Sequence, residues 1–221
     1  MRIDIKNKVS DVTKNLIIIN AIVWLAQMAL PRIGIDITYL LGLHYIGAQS
    51  FGIWQLVTYM FLHGGLGHLF FNMFALWMFG GTLERIWGSW RFLVFFLVTG
   101  IGAGLMQELV WFLSVNSYPP YQLDWLLTIG ASGGVFGVLL GFGMMFPNAP
   151  LYIMFIPVPV KAKYFVIGYG LLELFLGVTG TASGVAHFAH LGGMIFGYFL
   201  IKLWEKRAKE KQRNDGWQDF Y

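Results

Sequence analysis

Six long apolar runs, separated by short polar stretches, constrain the fold of this chain more than any other sequence feature. The runs span residues 16–30, 66–83, 92–113, 126–146, 164–178 and 185–204. Most of them approach the ~20 residues that an α-helix needs to cross a bilayer. Charged residues make up only 12% of the chain, against about 25% in a soluble domain. We therefore expect an all-α polytopic membrane protein with a bundle of six transmembrane helices.

The basic residues are divided unequally between the two sides of such a bundle. With the N-terminus inside, fourteen of the fifteen lysines and arginines fall on the inner side and only Arg32 falls outside. Cytoplasmic loops of membrane proteins carry such an excess, so we expect both termini to be cytoplasmic. Because the basic residues are segregated by side and not grouped in one patch, the net charge of +4 indicates topology and no nucleic-acid partner.

The two ends of the chain differ from its apolar centre. We expect residues 1–14 to form a cytoplasmic N-terminal segment, residues 15–204 the six-helix membrane domain, and residues 205–221 a charged cytoplasmic tail that frays from the last helix. A signal peptide is not expected, since no small-x-small site precedes Pro31 and further apolar runs follow. The chain has no cysteine, which excludes disulfide bonds, thiolate metal ligands and a cysteine nucleophile.

Polar residues from three of the predicted helices fall at one depth. The second, fourth and sixth helices start at the outer face, and the 1.5 Å rise per residue places their early residues within ~3–10 Å of that end. These residues are His68, Asn72, Ser132, His187 and His190. Ionisable groups inside a membrane are functional by default, so this layer is the candidate site.

Ser132 completes the Gly-x-Ser-x-Gly spacing that exposes the nucleophile of many acyl-transfer enzymes. The spacing alone is a weak signal, and the strand that normally precedes such a serine is not expected here. A serine hydroxyl also needs a base, usually a histidine within hydrogen-bond reach. His187 and His190 share a helix face, but depth places His190 level with Ser132 and His187 one turn nearer the surface. We therefore expect His190 to be the base.

His68 and Asn72 lie one turn apart on the same face of the second helix. An imidazole and an amide N–H can both stabilise an oxyanion, and the backbone N–H of Ser132 adds a third donor at the positive end of its helix. The alternative is that both side chains only satisfy neighbouring backbone groups. His63 precedes this helix, and we interpret it as a structural residue of the loop.

Small residues line the helix faces that carry these groups. Gly193 and Gly197 continue the His190 face, and Gly133 and Gly137 have the same spacing on the fourth helix. This spacing permits close helix contact, and helix packing alone is the alternative explanation for these glycines.

No carboxylate is expected in the polar layer. Glu108 and Asp124 belong to outer helix ends, and Glu173 lies far along the fifth helix. A serine–histidine dyad is therefore a simpler hypothesis than a triad. The histidines could instead bind a metal, but the His-Glu-x-x-His motif is absent and no acidic ligand is expected nearby, so we expect neither a metal nor a cofactor.

Five separated motifs occur in a characteristic order along the chain. They are Trp54-Gln55-Leu56-Val57-Thr58-Tyr59, His63 with His68 and Asn72, Gly80 with Glu84-Arg85, Gly130-Ala131-Ser132-Gly133, and Ala189-His190-Leu191-Gly192-Gly193. Together they resemble the rhomboid intramembrane serine proteases, over most of the chain from Trp54 to Leu203. One departure is Gln55, where many members of the family have arginine.

The resemblance implies a six-helix core with Ser132 as nucleophile, His190 as base, His68 and Asn72 in the oxyanion hole, and Phe136 beside the histidine. Gly130, Gly133, Gly193 and Gly197 support this site. Members of the family cut other membrane proteins within or near their transmembrane helices. The implied partners are thus transmembrane substrates and the lipid bilayer, and the implied location is the inner membrane of a bacterium.

Hydrolysis requires that the polar layer is wet, so we expect a water-accessible cavity that a substrate reaches sideways, beside the fifth helix. Two alternatives remain. A proteolytically inactive relative that only binds its partners usually lacks the serine or the histidine, and both are present here. A small transporter would show internal repeats or interrupted helices, and no repeat is visible.

Overall fold

The computed structural model describes residues 11–152, 158–180 and 186–215, with side chains to residue 213. Within these ranges the chain is mainly helical. The α-helices are α1 (Asp11–Ala29), α2 (Ile37–Leu41), α3 (Gln55–Thr58), α4 (Leu66–Ala75), α5 (Gly81–Trp87), α6 (Ser89–Ser114), α7 (Ser132–Met145), α8 (Ala162–Thr179) and α9 (His187–Asp215). A π-helical turn, Leu76–Gly80, joins α4 to α5. Short 3₁₀ segments span Leu30–Ile33, Tyr59–Phe61, Val115–Ser117 and Pro120–Trp125.

The described residues contain two small antiparallel sheets, and the first of them joins segments that are distant in the chain. Strand β1 (Leu43–His44) pairs with β2 (Leu127–Thr128), and β3 (Pro150–Leu151) pairs with β4 (Val160–Lys161). The first sheet attaches the segment between α1 and α4 to the residues just before α7.

Four helical segments of the described residues are long and apolar enough to cross a membrane. They are Asp11–Ile33, Leu66–Trp87, Ser89–Ser117 and Ala162–Thr179. These segments confirm the first, second, third and fifth predicted spans. Large apolar side chains such as Ile22, Phe71 and Phe175 lie exposed on their surfaces. Lipid tolerates such a surface whereas water does not, and the chain is an integral, multi-pass membrane protein.

The fourth predicted span is shorter than expected, because α7 begins at Ser132 and has only 14 residues. The expected helix start near residue 126 is wrong, since Leu127–Thr128 form β2. The expectation that no strand precedes Ser132 is wrong for the same reason. A short apolar run before a glycine fits a strand or a helix equally well by hydropathy, and only pairing with the distant strand β1 decides between them.

The sixth predicted span, residues 185–204, corresponds to α9 from His187 onward, and α9 continues beyond the span to Asp215. The charged tail is thus helical through residue 215, and the ion pair between Lys202 and Glu205 supports this part of the helix. The expected N-terminal segment lies outside the described residues up to residue 10, and the end of the tail lies outside them from residue 216.

Helices α6, α7 and α9 pack against one another at the centre of the fold. A Cβ atom on Gly193 would overlap the carbonyl oxygen of Gly133, and a Cβ on Gly197 would lie 3.5 Å from the Cα of Gly137. The spacing of these four glycines predicted this contact. Helix α6 packs against both α7 and α9, and its Phe96 side chain is fully buried. Close backbone packing of this kind drives helix association in lipid.

One carboxylate attaches the start of α1 to the bundle. Glu84 accepts hydrogen bonds from the backbone N–H groups of Val12 and Thr13, at 2.9 and 2.8 Å, and from the Thr13 hydroxyl at 2.8 Å. It also accepts from the Ser89 hydroxyl at 2.7 Å. The first N–H groups of a helix have no partner within the helix, so Glu84 satisfies the start of α1.

The segment between α1 and α4 is organised around Gln55. Its side chain is buried, accepts from the His44 N–H at 3.2 Å and donates to the Ser50 carbonyl at 2.9 Å. Ser50 in turn donates to Asp124 from both its backbone and its hydroxyl. These bonds favour the ionised carboxylate and therefore lower the pKa of Asp124. The neutral side-chain amide of Gln55 thus connects His44 and Ser50 within this segment.

Candidate active site

Ser132 occupies the first position of α7, directly after a turn that only glycine accepts. Gly130 has a φ of 133°, and a Cβ at this position would lie 2.9 Å from His68 Nε2. Its N–H donates to the Tyr59 carbonyl at 2.9 Å, which fixes the turn. The strand, the turn and the helix therefore present Ser132 at a helix N-terminus, where backbone N–H groups lack intrahelical partners.

His190 lies one turn into α9, and its ring makes contacts on three sides. Nε2 is 2.7 Å from Ser132 Oγ, and Nδ1 is 2.9 Å from an oxygen of Glu173. One ring face stacks on Phe136, with centroids 4.3 Å apart and planes inclined by 5°. The expected contact between Ser132 and His190 is therefore present, and Phe136 lies beside the histidine as the resemblance implied.

The expectation that no carboxylate accompanies the polar layer is wrong. Glu173 is buried, with 4% of its surface exposed, and the same carboxylate oxygen that meets His190 lies 2.7 Å from His187 Nδ1. The sequence held a signal that could have found it. In the topology expected from the basic residues, the fifth helix runs toward the outer face, and α8 ends at Thr179, six residues beyond Glu173. Depth measured from that end, at 1.5 Å per residue, places the carboxylate in the histidine layer.

The same three side chains are the group of described residues that could hold a metal ion. One ligand atom each from Glu173, His187 and His190 lies within 4.8 Å of the others. The expectation that no acidic ligand is nearby is therefore also wrong. Hydrogen bonds between the carboxylate and the two imidazoles account for the approach of all three groups.

His68 and Asn72 face the same space from α4. The Gly64 N–H donates to His68 Nδ1 at 3.3 Å, which leaves Nε2 as the protonated nitrogen on the side of Gly130. The Asn72 amide donates to the His68 carbonyl at 2.9 Å. Because an amide nitrogen carries two hydrogens, this bond leaves one available. The alternative that Asn72 only satisfies a neighbouring backbone group thus accounts for one of its two amide hydrogens.

A cavity of about 710 Å³ joins these groups. Ser132, His190, His68, Asn72 and Gly130 line its polar part. Aromatic and aliphatic side chains of α4, the π-helical turn and α8 line the rest, namely Phe71, Phe74, Met78, Phe79, Phe165 and Tyr169. The space combines a few polar groups with apolar walls, as ligand-binding sites in proteins commonly do.

His63 lies in the loop before α4, as expected. Its ring is buried and meets the His68 ring edge to face, with centroids 5.0 Å apart. Burial, together with the nearby His68, lowers the pKa of His63 to about 4. A neutral His63 therefore packs behind the His68 ring and limits its movement.

The sequence model of the Rhomboid domain matches residues 50–206. This chain belongs to the rhomboid family. The matched range contains every site residue predicted from the sequence, whereas α1 lies before it and the end of α9 lies beyond it. The rhomboid domain thus carries both the glycine contact of α7 with α9 and the polar cavity.

Three curated relatives show how far this similarity extends. Rhomboid protease GluP of Bacillus subtilis is 34% identical over 151 residues, which cover 66% of this chain and 25% of the relative. RHOMBOID-like protein 4 of Arabidopsis thaliana is 33% identical over 148 residues, which cover 66% and 33%. Rhomboid protein 1, mitochondrial, of Saccharomyces cerevisiae is 29% identical over 169 residues, which cover 71% and 44%. The aligned rhomboid region spans less than half the length of each relative.

Proposed function

We propose that this rhomboid protein is an intramembrane serine endopeptidase in which Ser132 is the nucleophile and His190 is the general base. The observation that carries the proposal is the 2.7 Å separation of Ser132 Oγ and His190 Nε2 at the edge of the cavity. The Bacillus subtilis relative is named as a rhomboid protease, which supports the same activity.

The first step is acyl transfer. Oγ of Ser132 bonds to the scissile carbonyl carbon while its proton passes to His190 Nε2, and the carbonyl π electrons move onto the oxygen. The backbone N–H of Ser132, His68 Nε2–H and the free Asn72 hydrogen stabilise this oxyanion. When the carbon–nitrogen bond breaks, the amine takes the proton from His190 and leaves an acyl-enzyme.

The second step is hydrolysis of that ester. Water gives a proton to His190 Nε2 and bonds to the acyl carbon, and Oγ departs and recovers the proton. Because water must reach Ser132, the polar end of the cavity is the expected water pocket. Phe165 and Tyr169 of α8 line its apolar wall, which supports access of a transmembrane substrate beside this helix.

The proposed enzyme crosses the membrane six times. Residues 15–204 form the membrane domain, and residues 1–14 and 205–221 are cytoplasmic. The excess of basic residues on one side supports this orientation. The proposed location is the inner membrane of a bacterium, where α7 and α9 provide the fourth and sixth spans.

Substitution of the nucleophile tests the proposal. We expect Ser132→Ala to abolish cleavage of a single-span reporter substrate by the purified protein, and to abolish labelling by a fluorophosphonate. The melting temperature should change little, because removing one hydroxyl next to glycines opens almost no cavity. Cleavage that persists in the purified variant would overturn the assignment.

A further inference from the structure

We infer that Glu173 is a positioning residue for His190: it selects the imidazole tautomer that accepts the Ser132 proton and stabilises the imidazolium that follows. The inference rests on the proposed roles of Ser132 and His190. It extends that pair to a chain of three groups, Ser132–His190–Glu173, in which the carboxylate comes from α8.

The tautomer follows from the two contacts of the His190 ring. Its Nδ1 lies 2.9 Å from a Glu173 oxygen, and its Nε2 lies 2.7 Å from Ser132 Oγ. An ionised carboxylate only accepts hydrogen bonds, so Nδ1 carries the hydrogen and Nε2 carries the lone pair. A general base needs its lone pair on the nitrogen that faces the nucleophile.

Two features hold Glu173 in this position. Only 4% of its surface is exposed, so water does not compete for the carboxylate. His187 Nδ1 meets the same oxygen from one turn earlier on α9, at 2.7 Å. The two imidazoles of α9 thus contact the same Glu173 oxygen, and these contacts restrict rotation of the carboxylate away from His190.

The charge of Glu173 contributes mainly during the reaction. Before proton transfer the carboxylate accepts a hydrogen bond from the His190 imidazole, and after it the carboxylate faces an imidazolium. An interaction that strengthens only when charge develops lowers the barrier without tightening substrate binding. Glu173 takes no proton in either step: protons move between Oγ, the leaving amine or the attacking water, and His190 Nε2.

Other titratable groups around His190 do not supply this negative charge. Among the described residues, α4 contributes His68, α8 contributes Tyr169 beside Glu173, and α9 itself contributes His187. Helix α7 presents Ser132 and Phe136, and α6 meets α9 through small or apolar atoms at Gly192. The carboxylate of Glu173 is the acidic group among the described residues that contacts the ring.

The substitution Glu173→Gln tests the charge of the side chain separately from its size. Glutamine keeps the size and an acceptor oxygen for Nδ1–H but removes the negative charge. We expect kcat to fall about tenfold, with KM within about twofold of the wild type. Without the carboxylate, protonation of the base is harder, so the acid limb of the kcat/KM profile should move about one unit to lower pH. Fluorophosphonate labelling should slow in parallel.

Two further variants show whether the loss of negative charge at Glu173 causes the change in kcat and in the pH profile. Glu173→Asp retains the charge with a shorter reach, so we expect its acid limb to stay near that of the wild type although kcat falls. Glu108→Gln is the matched control, because Glu108 is another buried carboxylate whose contact is the Ile46 N–H and not the cavity. It should keep both kcat and the pH profile.

A purely structural bond between α8 and α9 would give a different result. It would lower the melting temperature of Glu173→Gln and leave the acid limb in place, and that result overturns the inference. Wild-type kcat in Glu173→Gln overturns it as well, while an inactive Ser132→Ala leaves the proposed function intact. Activity in Ser132→Ala instead overturns the proposed function.

One measurement needs no variant of Glu173, and it applies if Glu173→Gln does not fold. Nitrogen NMR of histidine-labelled wild type, with the His190 signals assigned by their loss in His190→Ala, reports which ring nitrogen carries hydrogen. We expect a protonated Nδ1 and an unprotonated Nε2 above the titration range. The opposite tautomer overturns the inference.

Discussion

Single residues in the cavity owe their proposed chemistry to the atoms that their neighbours leave available. His68 accepts the Gly64 N–H at Nδ1 and so presents Nε2–H to the cavity. Asn72 uses one amide hydrogen on the His68 carbonyl and keeps the other. The backbone therefore orients two polar side chains that line the same cavity as Ser132.

Asn72→Ala measures the contribution of one such donor. We expect turnover of the single-span substrate to fall by ~10²-fold or less, because other donors to the oxyanion remain. The matched control is Asn20→Ala in α1, since Asn20 is also buried and also donates to the carbonyl four residues earlier. The control should retain wild-type turnover, measured at saturating substrate. Unchanged turnover in Asn72→Ala would show that Asn72 is structural.

The two histidines of α9 differ in their partners. We expect His190→Ala to remove both proteolysis and fluorophosphonate labelling, because Ser132 then lacks its base. His187→Ala should keep measurable activity, because His190, the residue in contact with Ser132, remains in this variant. Both variants are measured with the same substrate and probe. Activity in His190→Ala with none in His187→Ala would contradict the assignment of the base.

At the scale of helices, the distance between Ser132 and His190 depends on how closely α7 approaches α9. That approach is set at Gly193, where no space exists for a side chain against the Gly133 carbonyl. The stacked Phe136 ring then fixes the orientation of the histidine. Helix packing and the geometry of the proposed dyad are therefore coupled.

Gly193→Ala should separate these two helices. We expect it to lower the free energy of unfolding by about 1–3 kcal/mol, the usual cost of overpacking, and to reduce activity because Ser132 and His190 move apart. Gly168→Ala is the matched control, because Gly168 lies in α8 with open space around it. The control should leave stability unchanged or raise it by up to ~1 kcal/mol. Thermal unfolding in detergent measures the stability of both variants. Equal losses of stability in the two variants would contradict the close contact between Gly193 and Gly133.

At the scale of the whole molecule, the fold is apolar on the outside and polar within. Isoleucine, phenylalanine and leucine side chains lie exposed on the helix surfaces, whereas His63, Asn72, Glu173 and His190 are buried. Buried polar groups are costly unless they are paired or neutral. The stability of the whole protein should therefore depend on the protonation of such groups.

His63 makes this dependence testable. Its pKa is lowered to about 4 in the folded protein, whereas an unfolded histidine titrates near ~6.5. Between these values the unfolded state binds more protons, so stability is present above about pH 6.5 and is lost as the pH falls toward about 4. We expect His63→Phe, which cannot titrate, to show a smaller loss of melting temperature between pH 7 and pH 5. An equally steep loss would contradict the role of His63.

The sequence by itself determined the membrane class, four of the spans, the family motifs and the pair Ser132 and His190 as neighbours. Hydropathy is a sum along the chain, and the rise of a helix converts residue number into depth. Hydropathy and depth depend only on residues close together in the sequence, so neither requires knowledge of how the helices pack. They also placed Ser132 and His190 in one layer, although that depth assumed a helix start near residue 126 and α7 begins at Ser132 itself.

Only the tertiary structure decided where α7 begins and which carboxylate meets the base. Strand β2 exists because it pairs with β1, and Glu173 reaches His190 because α8 packs against α9. Hydropathy cannot reveal a pairing between distant segments, and depth alone does not state which neighbouring helix faces which. The overlap at Gly193 and the amide network of Gln55 have the same origin, since each depends on atoms brought together by contacts remote in sequence.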